Sequence, residues 1–238
     1  MSILRYTRYM ENEKTSQYRV QPPLFVIEQG IGRLELFPAV WSAAEDLLSE
    51  DLRAREDGLR RLMELDAARF SPLIGYLLVT RLTEPDTSVR VGIVRALSEA
   101  LSADSDGQPP PEESHSILCR YLAQMRTRQV YALLQVLDYD MTTSMHVDRL
   151  LNLCPYAGNH LVEILNDRKV PISLRVHAIE AIGRVGFLDT LPALERLEAR
   201  LESRQNGQVT MAFAPAAGTK EIEFLPLIKK ALACLRAP

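Results

Sequence analysis

The chain predicts an all-α fold, a stack of about five amphipathic helix pairs. Three observations predict it. A motif centred on an arginine occurs three times, each time followed by apolar residues at helical spacing. Ahead of each copy lies a second amphipathic stretch. Leu and Ala are plentiful and aromatic residues make up only 6% of 238 residues, which suits thin layers between helices ~8–10 Å apart.

The clearest copy is Leu82-Thr-Glu-Pro85-Asp86-Thr-Ser-Val89-Arg90, followed by Ile93, Val94, Leu97 and Leu101. The second is Ser49-Glu50-Asp51-Leu52-Arg53-Ala54-Arg55, followed by Gly58, Leu59 and Leu62. The third runs from Asn166-Asp167 to Leu174-Arg175, followed by Ala178, Ile179 and Ile182. Apolar residues stand three, four and seven places after each arginine, except that Gly58 takes the third place in its copy. Such spacing lines one face of a helix. Arg55 and Arg90 are 35 residues apart and Arg90 and Arg175 are 85 apart, room for two units of ~42 with a degenerate copy at Gln129–Met141.

The helices that precede these are Ala39–Leu48, Pro72–Leu82, Glu112–Met125 and Tyr156–Asn166. Leu191–Ser203 and Leu225–Arg236 form a final pair, and Met145–Leu153 an extra short helix. Pro72, Pro192 and Pro226 sit at helix starts, where a missing amide hydrogen costs nothing. Ser49 is an N-cap candidate, and Glu50 and Asp51 favour a helix N-terminus.

Pro85-Asp86-x-x-Val89-Arg90 and Leu174-Arg175-x-x-Ala178-Ile179-x-x-Ile182 resemble the HEAT-repeat family of armadillo-like proteins. The likeness covers roughly residues 38–236 and is best at 71–101 and 155–188. Residues 112–141 lack the Asp-x-x-Val-Arg turn. The resemblance implies an α-solenoid, a right-handed stack of antiparallel helix pairs in which each second helix lines a concave face. Residues 1–37 then form an N-terminal arm or cap, and 38–238 the HEAT-like domain.

Three segments fall outside the repeat. In the arm, Tyr6, Tyr9 and Tyr18 alternate with Arg5, Arg8 and Arg19, ahead of the apolar Pro22–Ile27. It reads as a cap on the first pair's open apolar end or as a docking arm. Residues 102–113 are an acidic, proline-rich connector with Pro109, Pro110 and Pro111. In residues 205–223, Gln208–Phe213 and Lys220–Phe224 flank Pro215 and Gly218, the pattern of a small β-hairpin.

Composition excludes several classes. The formal charge is −3, from 28 basic and 31 acidic residues, whereas a general nucleic-acid binder is basic. No apolar run approaches the ~18–20 residues of a membrane span. Met1–Met10 lacks the apolar core of a secretory signal. Cys119, Cys154 and Cys234 are odd in number and far apart, which suits free thiols in a reducing cytoplasm.

Catalytic motifs are scarce. None of His115, His146, His160 and His177 starts a zinc motif or is followed directly by Glu, so the paired His-Glu iron sites of an enzymatic HEAT-like family are absent. His115 and Cys119 share a helix face at i, i+4, which fits a dyad or a buried thiol beside an imidazole. Asp138 and Asp140 read as a helix end and turn rather than a carboxylate pair. Asp51 with Arg55 and Asp86 with Arg90 read as ties between turn and helix. No catalytic residue, metal or cofactor is expected.

Aligning the second helices by phase puts Arg60, Arg95, Gln135 and Glu180 at one exposed position and Glu64, Glu99, Tyr139 and Arg184 at the next. The stripe is mixed in charge, better suited to a protein or peptide than to a phosphate backbone. The expectation is a non-catalytic scaffold or adaptor. The alternative is a DNA-binding protein of the HEAT-like alkylated-base glycosylase type. That alternative wants a basic, aromatic concave face, yet the single tryptophan, Trp41, falls on a first helix. A bilin-attachment factor is a third class, for which no residue argues.

Overall fold

The computed structural model describes residues 37–205 and 219–237, and every regular element in them is helical. In order these are α1 (Phe37–Leu47), α2 (Leu52–Glu64), α3 (Ala67–Phe70), α4 (Pro72–Thr80), α5 (Thr87–Ala100), α6 (Glu112–Leu122), α7 (Thr127–Tyr139), α8 (Ser144–Asn152), α9 (Ala157–Asn166), α10 (Ile172–Val185), α11 (Leu191–Gln205), α12 (Thr219–Ile222) and α13 (Phe224–Arg236). Short 3-10 turns at Arg81–Thr83, Met141–Thr143 and Leu188–Thr190 link some of them.

Local chemistry sets the helix ends. Asp51 accepts from Arg53 N–H ahead of α2, and Asp86 from Ser88 and Val89 N–H ahead of α5. Ser71 accepts from Ile74 N–H, with Pro72 at the first helical position. Gly186, at φ +86°, closes α10 in the left-handed conformation that glycine adopts at no steric cost. The expected strand Lys220–Phe224 is not one: Thr219–Ile222 are helical and Phe224 opens α13. Phe224 is fully buried as the first residue of α13, under the Arg175 guanidinium. Its proposed partner strand, Gln208–Phe213, lies outside the described residues, as does the N-terminal arm before Phe37.

The second helices touch in chain order: α2 meets α5, α5 meets α7, α7 meets α10 and α10 meets α13. On their other side, α1 packs on α2, α4 on α6, α9 on α7 and α10, and α11 on α13. One continuous core of buried Leu, Ile, Val and Ala runs from Ala43 to Leu235. The degenerate unit departs from simple pairing, with α6 lying chiefly on α4 and α7 on α9. The short helix α8 packs across α5, α7 and α10 together. Val147, Leu150 and Leu151 are its buried side.

Gly58 explains the one glycine in the apolar pattern. A methyl group there would come within 2.6 Å of Ala43 O and of Leu47 N. The backbones of α1 and α2 therefore cross where only glycine fits.

The repeated arginines are structural. Arg55 donates to Glu50 O at 2.7 Å and to Ser49 O at 3.2 Å, and its Nε sits 3.0 Å from Glu84 Oε1. Arg90 donates through Nε to Glu84 O at 2.9 Å and through Nη1 to Gln135 Oε1 at 2.7 Å. Arg175 donates to Leu165 O at 2.8 Å and to Glu221 Oε1 at 3.0 Å, with its guanidinium 4.8 Å from the Phe224 ring centre. Each thus binds a main-chain carbonyl ahead of its own helix, in the turn for Arg55 and Arg90 and at the end of α9 for Arg175, and a side chain further along the chain. The expected Asp–Arg ties take a different form. The aspartates cap the helices, and the arginines bind main-chain oxygens.

The acidic connector is pinned too. Buried Arg69 donates to Ser102 O at 2.7 Å and to Gln108 O. Residues 103–107 between are exposed.

Gly58→Ala should lower the unfolding free energy by about 1–3 kcal/mol in urea titrations, because backbone rather than a flexible side chain blocks the methyl group. Arg90→Lys should cost about 2–4 kcal/mol by the same measurement, since an ammonium cannot bridge Glu84 O and Gln135 at once. Glu221 gives a pH test. Burial pushes its carboxyl up, but hydrogen bonds from Arg175 and Arg204 outweigh this and leave it below the usual range. The folded state therefore binds this proton more weakly than the unfolded state does. The contribution is complete above the ordinary glutamate value of about 4.3 and fades as pH falls through the lower folded value. Glu221→Gln should cost about 1.5–3 kcal/mol at neutral pH, with the difference from the parent chain closing toward pH 3.

Candidate functional site

The exposed side of the row α2, α5, α7 and α10 carries the residues aligned by phase, and their local partners decide which are available. On α2, Arg60 is exposed and bridges Asp57 at 2.9 Å and Glu64 at 3.0 Å, all on the same helix. These carboxylates raise its already high pKa. On α5, Glu99 is exposed with no bonded partner among the described residues. Arg95, four residues earlier, donates to Asp140 Oδ2 at 2.7 Å, which ties α5 to the end of α7. Asp140 also accepts from Thr142 Oγ1 at 2.7 Å and Thr142 N–H at 3.0 Å. The Thr142 bonds first, then Arg95, hold its carboxyl below the usual range.

On α7, Gln135 is half-buried and taken up by Arg90. Tyr139, at the helix end, is 65% exposed, beside Met141 and Met145, which are also exposed. On α10, Glu180 Oε2 lies 3.5 Å from His177 Nδ1 and 3.8 Å from Arg184 Nη1. Arg184 forks onto Asp148 of α8 at 2.7 and 3.1 Å, and this bond raises its pKa. His177 Nε2 reaches Asp138 of α7 at 3.5 Å. The row is therefore laced from helix to helix. Arg60, Glu64, Glu99 and Tyr139 face solvent, whereas Gln135, Arg95 and Arg184 are committed to neighbours within the chain.

Two of the exposed residues line a groove between α2 and α5, of about 360 Å³. Its floor is Leu59, Met63 and Val89, and its rim is Glu56, Arg60, Glu64 and Ser88. Leu59 also packs on Gly92 of α5, where a methyl group would come within 2.6 Å of Leu59 Cδ2. Phase alignment did not single out Glu56, Met63 or Ser88. The available signal was Leu59 and Met63 at i, i+4, an apolar pair flanking a charged stripe. At the far end of the row α8 acts as a wall. Arg149 donates to Ser98 O at 3.0 Å and also reaches Ser102, both near the end of α5.

Cys119 Sγ lies 3.7 Å from His115 Nε2, but burial pushes the thiol's pKa up, away from the nucleophilic thiolate. Asp138 and Asp140 serve separate partners, His177 and Arg95. Among the described residues, no three His, Cys, Asp or Glu side chains converge as metal ligands would, and no helix is long and apolar enough to cross a membrane. No protein-family model, characterised protein or solved structure matches the chain.

Proposed function

We propose that this chain is a non-catalytic interaction module, a HEAT-like α-solenoid that holds a protein or peptide partner against the exposed face of its second helices. The observation that carries the reading is the α2/α5 groove. Its apolar floor can take a side chain of a partner, and its charged rim of Glu56, Arg60 and Glu64 can fix orientation. The successive contacts of α2, α5, α7, α10 and α13 support a solenoid, since a stacked unit touches only its neighbours. The mixed charge of the face favours protein over nucleic acid, which needs several like-signed contacts. The free thiols Cys119, Cys154 and Cys234 are compatible with a reducing compartment, and the reading takes the cytoplasm as its site of action.

A photo-crosslinking residue at position 60 or 99 should trap one discrete protein in cells, whereas the same residue at exposed position 159 on α9 should not. The double variant Arg60→Glu/Glu99→Arg should keep its helical circular dichroism and lose the crosslink. No trapped protein, trapping equal at all three positions, or trapping indifferent to the charge reversal would overturn the reading. So would a salt-sensitive gel shift with duplex DNA.

A further inference from the structure

The rim of the α2/α5 groove carries more acid than base. Glu56, Arg60 and Glu64 stand at i, i+4 and i+8 on α2, so they line one edge, and Leu59 and Met63 lie between them on the floor. The middle residue is taken up by its own helix. Arg60 Nη2 donates to Asp57 Oδ1 at 2.9 Å and Nη1 to Glu64 Oε1 at 3.0 Å. The opposite edge, at Ser88 and Val89, adds no base. Other nearby bases are committed elsewhere. Arg53 and Arg61 line a separate hollow toward α1 with Asp46, Asp51 and Asp57, and Arg55 is held by Glu84. On α5, Arg90 is buried on Glu84 O and Arg95 is bound to Asp140.

One hydroxyl shows the imbalance. Ser88 Oγ lies 2.6 Å from Asp86 Oδ1 and 3.3 Å from Glu56 Oε1, with a single proton for two carboxylates. The shorter bond takes it. That hydroxyl, followed by Val89 N–H, holds the Asp86 carboxyl below its usual range. Glu56 has no other donor among the described residues, and Glu64 keeps Oε2 unbonded among them. Each of these two carboxylates can therefore accept from a cationic side chain brought by a partner.

Their spacing sets the form of that partner. Eight residues at 1.5 Å each put Glu56 and Glu64 about 12 Å apart along α2. In an extended chain, residues i and i+4 are about 13 Å apart and point to the same side as i+2. A segment laid along the groove thus brings its first and fifth side chains to the two carboxylates and its third to the floor of Leu59, Met63 and Val89.

We propose that the α2/α5 groove binds an extended protein segment with a lysine or arginine on each side of an apolar residue, at alternate positions. The proposal rests on the partner reading of this groove and adds the chemistry of what it holds.

The full chain would be titrated with a capped peptide of lysine, leucine and lysine separated by single serines, with the Leu59 and Met63 methyl signals followed in proton–carbon correlation spectra. The lysine peptide should shift both signals to saturation, and less so as salt is added. Glutamate in place of both lysines, serine in place of leucine, or one extra serine on each side of leucine should each weaken binding at least fivefold. Glu56→Gln and Glu64→Gln, both at exposed positions, should each weaken the lysine peptide by about two- to fivefold. Glu113→Gln, on the exposed surface of α6, should leave it unchanged. Equal binding of the lysine and glutamate peptides, or binding indifferent to both glutamate variants, would overturn the proposal. So would methyl shifts that appear on concentrating the chain alone, which would assign the groove to a second copy. The partner reading is judged separately, by trapping at position 60. A trapped protein beside an unbound lysine peptide removes this proposal alone, and the absence of both removes the two together.

Discussion

When helices pack in a row, the turns between them are buried along with the helix sides. The carbonyls of those turns then need donors that water can no longer supply. In this chain Arg90 supplies one at the buried Glu84 and Arg175 another at Leu165, the buried end of α9, while Arg55 makes the same bond to the exposed Glu50. Arg55, Arg90 and Arg175 each sit near the start of a second helix and reach back to carbonyls at Glu50, Glu84 and Leu165. A guanidinium suits the task because its planar fork of donors serves two or three acceptors at once. The remaining donors point forward, to Glu84, Gln135 and Glu221. One residue type therefore closes a turn and binds the following layer.

Two buried carboxylates anchor these ties, Glu84 between Arg55 and Arg81 and Glu221 between Arg175 and Arg204. The Glu84 side chain is almost wholly buried, with Arg55 at 3.0 Å and Arg81 at 3.4 Å, while its carbonyl serves Arg90. Removing one member of such a set leaves the others charged and dry, a far larger cost than that of an exposed pair. Exposed pairs such as Arg60 with Asp57 and Glu64 contribute only about 0.2–1 kcal/mol each. Stability thus resides in the turns and core, which leaves the outer charges of α2 and α5 open to a partner at little cost to the fold.

The same division shapes the surface. Bonds from Arg95 to Asp140, from His177 to Asp138 and from Arg184 to Asp148 join neighbouring elements across the row. With α8 they close its far half. The near half, between α2 and α5, keeps a groove floored by Leu59, Met63 and Val89. At the opposite end of the chain, Glu195 and Glu202 of α11 pair with Arg236 and Lys229 of α13, and Arg204 pairs with Glu221.

The helices themselves were legible in the sequence. Periodicity placed α4, α7, α9, α11 and α13 to within a few residues, because helical spacing, an N-cap and an initial proline are properties of short segments. Gly58 stood out as a break in the pattern, though its reason, the backbone of α1, did not. What only the tertiary structure decided is which polar side chains are free. Gln135 and Arg95 share an exposed phase with Arg60, yet their partners Arg90 and Asp140 are each 45 residues distant in the chain, and Arg184 meets Asp148 across 36. The helix at Thr219–Ile222, expected as a strand, likewise depends on Phe224 finding a buried site on distant elements. Local spacing shows a residue's direction from its own helix; only packing shows what waits there.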